Sequence, residues 1–355
     1  MEYDVKTILK DAIDRGASDI FLIAGSPYAF KIAGVIERQN DERLKPADCE
    51  IIIRQLYDLY ALGDYEYFRQ TGDDDFSFSL SGVGRFRVNA YRQRNSCAAV
   101  LRVVKFGIPD PKEYNIPDEV LDLHTAKKGM ILVTGPAGSG KSTTLACIID
   151  RINETRNAHI VTLEDPIEFV HQHKKSLVSQ REIYHDSKDY LSALRAALRE
   201  TPEVILLGEM RDPETIAAAM TAAETGHLLL STLHTIGAVN TIDRIIDSFE
   251  TNQTQIRLQL SEVLCAVVSE QLVPSVDGND IPVFEIMKVN TAVRSQIREN
   301  KLHMIENTMA SCRNEGMITM DDALLDLFRQ GKITKETVMT YAAHPDTIVR
   351  RMNYR

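Results

Sequence analysis

Long apolar runs are missing from this sequence. No stretch reaches the roughly 18 consecutive apolar residues that suggest a membrane-spanning helix. The N-terminal segment MEYDVKTILKDAIDRG carries acidic residues and has no apolar run of the kind found in signal peptides. We therefore expect no transmembrane segment and a cytoplasmic location.

Paired cysteines and an excess of basic residues are missing as well. The five cysteines are widely spaced and no two form a C-x-x-C pair, which predicts reduced thiols and neither a zinc ribbon nor a redox pair. The net charge of -10 argues against broad, sequence-independent binding of nucleic acid, which requires clustered lysine and arginine. We expect no direct nucleic-acid partner.

The length of 355 residues suggests two domains, and a proline-rich segment indicates where they meet. Residues 107–117, GIPDPKEYNIP, contain three prolines, which disfavour both helix and central strand. The sequence therefore predicts an N-terminal domain over residues 1–106, a linker over residues 107–117 and a C-terminal domain over residues 118–355.

The two predicted domains differ in pattern. The first mixes short strands and helices, which indicates a small antiparallel sheet with a few helices; one strand is predicted over residues 29–36. The second repeats strand, loop and helix, and its short apolar strands are typical of a parallel sheet covered on both faces. The clearest of these strands are residues 130–134, 159–163, 204–207 and 228–232. From about residue 290 to residue 355 the pattern is helical, so the fold class is α/β with a helical C-terminal tail.

Residues 135–142, GPAGSGKS, match the phosphate-binding pattern G-x-x-x-x-G-K-[ST] in full. The match follows the apolar strand ILVT and precedes a helical pattern, as a P-loop requires. Glycines permit a tight loop whose N–H groups point at phosphate oxygens, the lysine reaches the β and γ phosphates, and the serine hydroxyl binds Mg²⁺. The predicted ATP-binding residues are Gly135, Pro136, Ala137, Gly138, Ser139, Gly140, Lys141, Ser142 and Thr143.

Hydrolysis needs acidic residues beside the γ-phosphate, and two of the predicted strands run into acids. One strand is followed by Glu164 and Asp165, and another by Gly208 and Glu209. Because the carboxyl ends of strands in such a sheet border the ligand crevice, we predict Glu164 and Glu209 as the catalytic and metal-binding acids. For Asp165, which precedes a proline, capping of the turn is an equal interpretation.

Two histidines flank the apolar strand in the segment GHLLLSTLHT. His227 precedes this strand and His234 follows it. A lone histidine in such a place is usually structural, but a pair beside the ligand-binding edge suggests hydrogen bonding to the γ-phosphate. We therefore predict both histidines as candidate phosphate sensors.

A basic stretch interrupts this acidic chain. Residues 76–109 contain six lysines and arginines and no acid. The alternation in RFRVNA places Phe86 toward a core and Arg87 on the opposite face. Arg102 lies in the apolar segment AAVLRVV, where a guanidinium is costly unless it meets an anion. We predict that Arg87 and Arg102 reach the phosphates bound by a neighbouring subunit.

Together these segments resemble the secretion and pilus ATPases, and within them the PilT-type retraction ATPases. GPAGSGKSTTLA resembles the Walker A motif of that family, VTLEDPIEFVHQ its aspartate box, ILLGEMRDPETI its atypical Walker B motif with Gly208, and TAAETGHLLLSTLHT its histidine box. ASDIFLIAG and GVGRFRVNAY resemble its N-terminal PAS-like domain. The resemblance covers nearly the whole chain.

The resemblance implies a PAS-like α+β domain joined to a RecA-like P-loop domain and assembled as a homo-hexamer. It implies an ATP-hydrolysing motor that uses Mg²⁺ and drives type IV pilus retraction. Its partner would be an inner-membrane pilus platform protein, reached from the cytoplasmic face of the membrane. Carried over residue by residue, Lys141 and Ser142 bind phosphate and Mg²⁺, and Glu164 and Glu209 form the acidic pair.

Two segments depart from the family pattern. Residues 291–301, TAVRSQIRENK, resemble the AIRNLIREGK segment linked with retraction, but Ser295, Gln296 and Asn300 replace Asn, Leu and Gly. Phe21 and Ala33 stand where His and Asp are common, so no role is predicted for either residue.

Several alternatives stay open. The chain lacks the tetracysteine zinc element and the extended N-terminal region that are usual in the extension and secretion ATPases of this family. Both absences favour retraction over pilus extension or type II secretion. An accessory retraction ATPase of the PilU type is not separated from a primary one, because EGMITMDDALLDLF resembles both. Outside this class, the alternatives are a nucleotide-dependent binding switch and a RecA-like motor acting on DNA.

Overall fold

The protein is described by a computed structural model over residues 3–60, 63–104 and 107–353. The chain divides into two compact units, the first formed by Met1–Gly107 with Glu168–Val170 and the second by Ile108–Ile167 with His171–Arg355. The linker predicted at residues 107–117 begins at this division.

The first unit contains a six-stranded antiparallel sheet and three helices among its described residues. In chain order these are α1 (Val5–Asp14), β1 (Asp19–Ile23), β2 (Ala29–Ile32), β3 (Val35–Arg38), α2 (Pro46–Leu59), α3 (Tyr65–Thr71), β4 (Asp73–Leu80), β5 (Gly84–Gln93) and β6 (Ser96–Val104). The strand order is β3-β2-β1-β6-β5-β4. As the alternation predicts, Phe86, Val88 and Ala90 of β5 are buried in the core, whereas Arg87 is exposed on the other face.

The single strand predicted over residues 29–36 is wrong. Two strands, β2 and β3, occupy this region and pair as a hairpin in which Ile32 lies opposite Val35. Ala33 and Gly34 between them have φ values of 48° and 83°, which are left-handed. Two successive left-handed residues reverse the chain with the twist that a two-residue hairpin needs.

The second unit is built on a seven-stranded sheet flanked by helices. Its elements up to the C-terminal region are α4 (Asp118–Leu121), β7 (Gly129–Thr134), α5 (Lys141–Thr155), β8 (His159–Glu164), β9 (Leu177–Glu182), α6 (Tyr190–Ala197), β10 (Val204–Leu207), α7 (Pro213–Glu224), β11 (Leu228–Leu233), α8 (Ala238–Asp247), α9 (Gln253–Val263), β12 (Leu264–Pro274) and β13 (Asp280–Lys288). The strand order is β13-β12-β7-β11-β10-β8-β9. All neighbouring strands are parallel except the β12–β13 pair.

The central strands of this sheet are covered on both faces. Every residue of β7, β10 and β11 is buried. Successive residues of β7 pack into different hydrophobic clusters, with Met130 and Leu132 in one and Ile131 and Val133 in the other. Burial on both faces explains why these strands are continuously apolar in sequence rather than alternating.

The C-terminal region is helical, as predicted. It contains α10 (Thr291–Arg298), α11 (Ile305–Ser311), α12 (Met320–Arg329), α13 (Lys335–Tyr341) and α14 (Pro345–Asn353). Helices α12 to α14 pack with Val273 and Val283 of the sheet in a separate hydrophobic cluster. Across the described residues, no helix combines the length and the apolar character that crossing a membrane requires.

Candidate nucleotide-binding and hydrolysis site

The predicted phosphate-binding loop lies between β7 and α5. Strand β7 ends at Thr134 and helix α5 begins at Lys141, so the glycine-rich residues form the turn between them. Gly135, Gly138 and Gly140 have φ values of 144°, 79° and 108°, a region that side chains strongly disfavour. The loop therefore has the strand, tight turn and helix N-terminus that favour an anion.

Two of these glycines are also required by packing against strand β12. A β-carbon on Gly135 would overlap the carbonyl oxygen of Glu270 in β12. A β-carbon on Gly140 would lie 2.8 Å from the Glu270 carboxylate oxygen Oε1. The loop is thus seated directly on the neighbouring strand, and only glycine fits at both contact points.

Lys141 is held inside this loop. The residue is 8% exposed, and its Nζ atom donates hydrogen bonds to the carbonyl oxygens of Gly135 at 2.9 Å and Pro136 at 2.8 Å. A buried ammonium group is costly unless its donors are satisfied, and here two loop carbonyls accept them. Ser142 and Thr143 follow on the first turn of α5 and are half-buried.

The two predicted acids lie at the same edge of the sheet as the loop. Strands β8 and β10 are parallel to each other, with Leu163 opposite Leu207, so Glu164 and Glu209 follow at the carboxyl ends of adjacent strands. The order β7-β11-β10-β8 places β10 two strands and β8 three strands from β7. At about 4.8 Å per strand, these separations are about 10 and 14 Å along the edge.

Glu209 has two basic partners. Its Oε1 atom lies 2.5 Å from Arg211 Nη2, and its Oε2 atom lies 3.7 Å from His234 Nε2. The hydrogen bond to the carboxylate raises the pKa of Arg211 above its ordinary value. The Glu209 side chain is only 12% exposed, whereas His234 is 61% exposed. His234 follows β11, whose last residue Leu233 lies opposite Thr134, so this histidine is level with the start of the loop.

Glu164 is held by neighbours on β8 and β9. Its Oε1 atom accepts hydrogen bonds from Thr162 Oγ1 at 2.6 Å and from Gln180 Nε2 at 3.3 Å. Thr162 lies two residues earlier on the same face of β8, and Gln180 lies opposite Thr162 on β9. These two donors fix one oxygen of the carboxylate. Asp165, the next residue, is exposed.

Gly208 stands in a tight space, where a side chain would crowd its neighbours. A β-carbon there would lie 2.9 Å from Tyr190 Oη, 3.2 Å from the Leu163 carbonyl oxygen and 3.4 Å from Glu164 Cα. Burial, together with the charges of Glu209, Asp165 and Glu164, raises the pKa of Tyr190, so its phenol stays protonated. Tyr190 belongs to no motif in the sequence, and only the fold brings it to the acids.

The structure does not bring His227 to this site. His227 precedes β11, whose first residue Leu228 lies opposite Gly129 at the start of β7. The amino and carboxyl ends of β11 are about 15–20 Å apart, so His227 lies at the opposite edge of the sheet from the loop. Its Nδ1 atom lies 2.9 Å from the carbonyl oxygen of Ala222 and 3.2 Å from Thr225 Oγ1. The prediction that both histidines border the phosphates is therefore wrong for His227 within one chain.

The two predicted trans arginines are neighbours in the first unit. Arg87 on β5 lies directly opposite Arg102 on β6, so both belong to one face of the sheet. Arg102 is 72% exposed, and its Nε atom donates to Asp19 Oδ1 at 3.1 Å. The premise that Arg102 lies in apolar surroundings is therefore wrong, because it points away from the core. Lys105 of the same basic stretch lies outside the described residues.

The fold and the loop define a nucleotide-binding protein of the P-loop class with a RecA-like domain. Residues 1–319 match the family of type II/IV secretion system proteins. The chain is 42% identical to a twitching motility protein of Neisseria gonorrhoeae, over 98% of this chain and 92% of that protein. It is 41% identical to the type IV pilus retraction ATPase PilT of Pseudomonas aeruginosa, over 97% of this chain and 99% of that protein. The chain belongs to the type II/IV secretion system protein family.

Two solved structures of ATPases are also similar to this chain. A crystal structure of the pilus retraction motor PilT with bound ADP superposes with a TM-score of 0.89 at 46% identity and covers 98% of this chain and 100% of that chain. The ATPase DotB of Legionella pneumophila superposes with a TM-score of 0.75 at 29% identity, covering 94% of each chain. The fold class, the family and the assignment as a nucleotide-binding ATPase, all predicted from the motifs, are confirmed.

The crowding at Gly208 gives a testable prediction. We expect Gly208→Ala to lower the free energy of unfolding by about 1–3 kcal/mol, because the added methyl group overpacks the space beside Tyr190 and Leu163. In a Tyr190→Phe background the cost should be smaller, since the Oη atom is gone. Urea unfolding of the wild type, both single variants and the double variant measures the difference. An equal cost in both backgrounds would show that the Tyr190 contact is not the reason for glycine.

Proposed function

We propose that this protein is a homo-hexameric ATPase that drives type IV pilus retraction from the inner face of the cytoplasmic membrane. The observation that carries the proposal is the placement of the Lys141 loop and the acids Glu164 and Glu209 at one edge of a parallel sheet. Full-length similarity to pilus retraction ATPases supports retraction as the use of that chemistry. A platform protein in the inner membrane is the proposed partner.

We infer the role of each site residue from its position. Lys141 exchanges its two loop carbonyls for the β and γ phosphates of ATP, and the N–H groups of residues 135–143 bind the same oxygens. Glu209, with a largely buried carboxylate, orients the attacking water and accepts its proton. His234 and Arg211 contact Glu209 and position it. For Asp165, capping of the turn remains an equal interpretation.

The donors at this edge fit Mg²⁺. Ser142, Glu164 and Glu209 offer a hydroxyl and carboxylate oxygens, the hard ligands that this ion prefers. Protein sites for Mg²⁺ on nucleotides use one or two carboxylates and keep several waters, so no dense cluster of acids is needed. When bound, the ion neutralises charge that develops on the phosphate oxygens.

The paired arginines Arg87 and Arg102 are proposed to act on ATP bound by the adjacent subunit. Two guanidinium groups on opposite residues of β5 and β6 repel each other and together favour an anion. Arg102 has Asp19 as a partner within its own unit, which makes Arg87 the stronger candidate. The active site would then form only on assembly of the ring.

An accessory retraction ATPase is the second candidate. The chain is 36% identical to the type IV pilus ATPase PilU of Pseudomonas aeruginosa, over 96% of this chain and 89% of that protein. The lower identity favours the primary motor.

One prediction of this proposal tests catalysis by Glu209. Glu209→Gln is expected to lower ATP turnover about 10²–10⁴-fold while ADP binding persists, because the amide keeps the shape but accepts no proton. Lys141→Ala is expected to lose both properties. Glu214→Gln, an exposed glutamate in the first turn of α7, is the matched control and should turn over normally. Steady-state phosphate release and ADP titration measure the two properties; normal turnover by Lys141→Ala would remove the ATPase proposal.

Another prediction of this proposal concerns the arginines. Rings of Arg87→Ala alone and of Lys141→Ala alone should be inactive. Co-assembled from equal amounts, they should regain about a quarter of the wild-type rate, because random mixing pairs an intact loop with an intact neighbouring arginine at that frequency. Arg92→Ala, in the same basic stretch, should remain active alone. Full activity of Arg87→Ala, or no recovery in rings shown by two affinity tags to be mixed, would contradict action in trans.

The biological function is tested by deletion in the native cell. Loss of a primary retraction motor is expected to leave excess pili and abolish twitching, because extended fibres no longer shorten. Electron microscopy of surface pili and a surface motility assay measure the two effects, with the intact gene supplied in trans as the control. Absence of pili would indicate extension instead, and retained twitching would favour an accessory role.

A further inference from the structure

A buried glutamate lies beneath the phosphate-binding loop and has no part in the proposed hydrolysis. Glu270 is on β12, one residue beyond Ser269, which lies opposite the last β7 residue Thr134. The residue is 0% exposed. Glutamate is almost never fully buried unless it is paired, so its position requires an explanation.

The carboxyl group of Glu270 lies against the C-terminal end of the loop and the first turn of α5. Its Oε2 atom accepts a hydrogen bond from Thr144 Oγ1 of α5 at 2.6 Å. Its Oε1 atom faces the backbone of Gly140, where even a β-carbon would lie only 2.8 Å away. Oε1 and the equally buried hydroxyl of Ser139 have no well-formed hydrogen bond among the described residues. Ser139 Oγ nevertheless lies close enough to the carboxyl group to lower its pKa as a weak hydrogen-bond partner.

These surroundings bring the pKa of the Glu270 carboxyl group close to neutral pH. Burial raises its pKa to about 7, against opposing effects of the Thr144 hydrogen bond, the Lys141 charge and Ser139. Lys141 of α5 is the charged group that acts on it among the described residues. On β13 the opposite residue is Phe284, and the nearby Glu285 directs its carboxylate to the backbone N–H groups of Ala238 and Met320.

We propose, resting on the proposed binding of nucleotide at this loop, that Glu270 is a positioning residue that takes up one proton from solvent when nucleotide phosphates bind. The proton goes to Oε1, which then donates a hydrogen bond to Ser139 Oγ. This bond gives Oε1 and Ser139 Oγ, neither of which has a well-formed hydrogen bond, a direct one to each other. It also holds the loop on β12 in the form that binds phosphate.

Charge explains why binding and protonation are linked. Phosphates bring several negative charges to a loop that already covers a buried carboxyl group. They also engage the Lys141 ammonium, which removes the compensating charge beside Glu270. Both effects favour the neutral carboxyl group. By linkage, nucleotide affinity is then full below the pKa of the free protein and declines above it, because binding must then include uptake of a proton from solvent.

The test compares ADP binding by the full-length wild type and Glu270→Gln in the presence of Mg²⁺. Titration calorimetry in two buffers of different ionisation enthalpy counts protons, and the difference between the chains removes the titration of ADP itself. With a free pKa of about 7, Glu270 should take up about half a proton at pH 7 and about one at pH 8. Wild-type affinity, relative to the variant, should fall about tenfold from pH 6 to pH 8. The glutamine keeps a donor for Ser139 and should rescue tight binding at pH 8.

Thr144→Val provides a second variant. It removes the hydrogen bond to the charged carboxylate, so the pH at which affinity begins to fall should move upward. Infrared difference spectra of the wild type on adding ADP at pH 8 should show the carbonyl band of a protonated carboxylic acid. Absence of this band, an unshifted profile in Thr144→Val, or equal proton uptake by wild type and Glu270→Gln would each overturn the inference.

The outcomes separate this inference from the proposed function. If the wild type binds no ADP, or if Lys141→Ala binds it equally well, the nucleotide-binding proposal fails and the role of Glu270 fails with it. If ADP binds at the Lys141 loop with the same pH dependence in wild type and Glu270→Gln, only the role of Glu270 is removed.

Discussion

The parallel register of β7, β8, β10, β11 and β12 is the constraint on which the site depends. Backbone hydrogen bonds align these strands so that Thr134, Leu163, Leu207 and Leu233 reach the same edge. Glu164 is the last residue of β8, and the phosphate-binding loop, Glu209 and His234 each begin one or two residues beyond the ends of their strands. Burial on both faces holds this alignment, because a shift in register would move apolar residues out of two packed layers. The geometry of the site is therefore set by the core rather than by contacts among the site residues.

That dependence explains how much of the site could be predicted. Lys141, Glu164 and Glu209 carry local signals, since each follows an apolar strand, and a parallel sheet brings all such positions to one edge whatever the order of strands. The same rule places His227 away from the site. It lies at the amino end of β11, and strand polarity sends it to the far edge even though the sequence pattern treats both flanking histidines alike. A motif gives proximity along the chain, whereas the direction of the strand decides which end meets the ligand.

Other features depend on contacts that no local pattern contains. Thr144 and Glu270 are 126 residues apart in the chain, and Tyr190 reaches Gly208 only because α6 packs beside β10. For Arg102 the local pattern gave a wrong prediction, because an apolar stretch of sequence predicted a buried guanidinium. The pleat of β6 instead turns Arg102 outward toward Asp19. The hairpin at Ala33 and Gly34 was missed because Ala33 seldom adopts a left-handed conformation.

The glycines of the loop meet two structural requirements. Their backbone conformation lets N–H groups converge on phosphate, and their missing side chains let the loop lie on β12 at Gly135 and Gly140. The loop is consequently supported from below by a strand that carries a buried carboxyl group. Any change in the charge of that group acts on the loop through direct contact, without a longer path through the protein. Lys141 lies between the two charges, held by loop carbonyls and attracted by both the Glu270 carboxylate and an incoming phosphate. The competition for this one ammonium group is what makes protonation of Glu270 and binding of nucleotide parts of a single equilibrium.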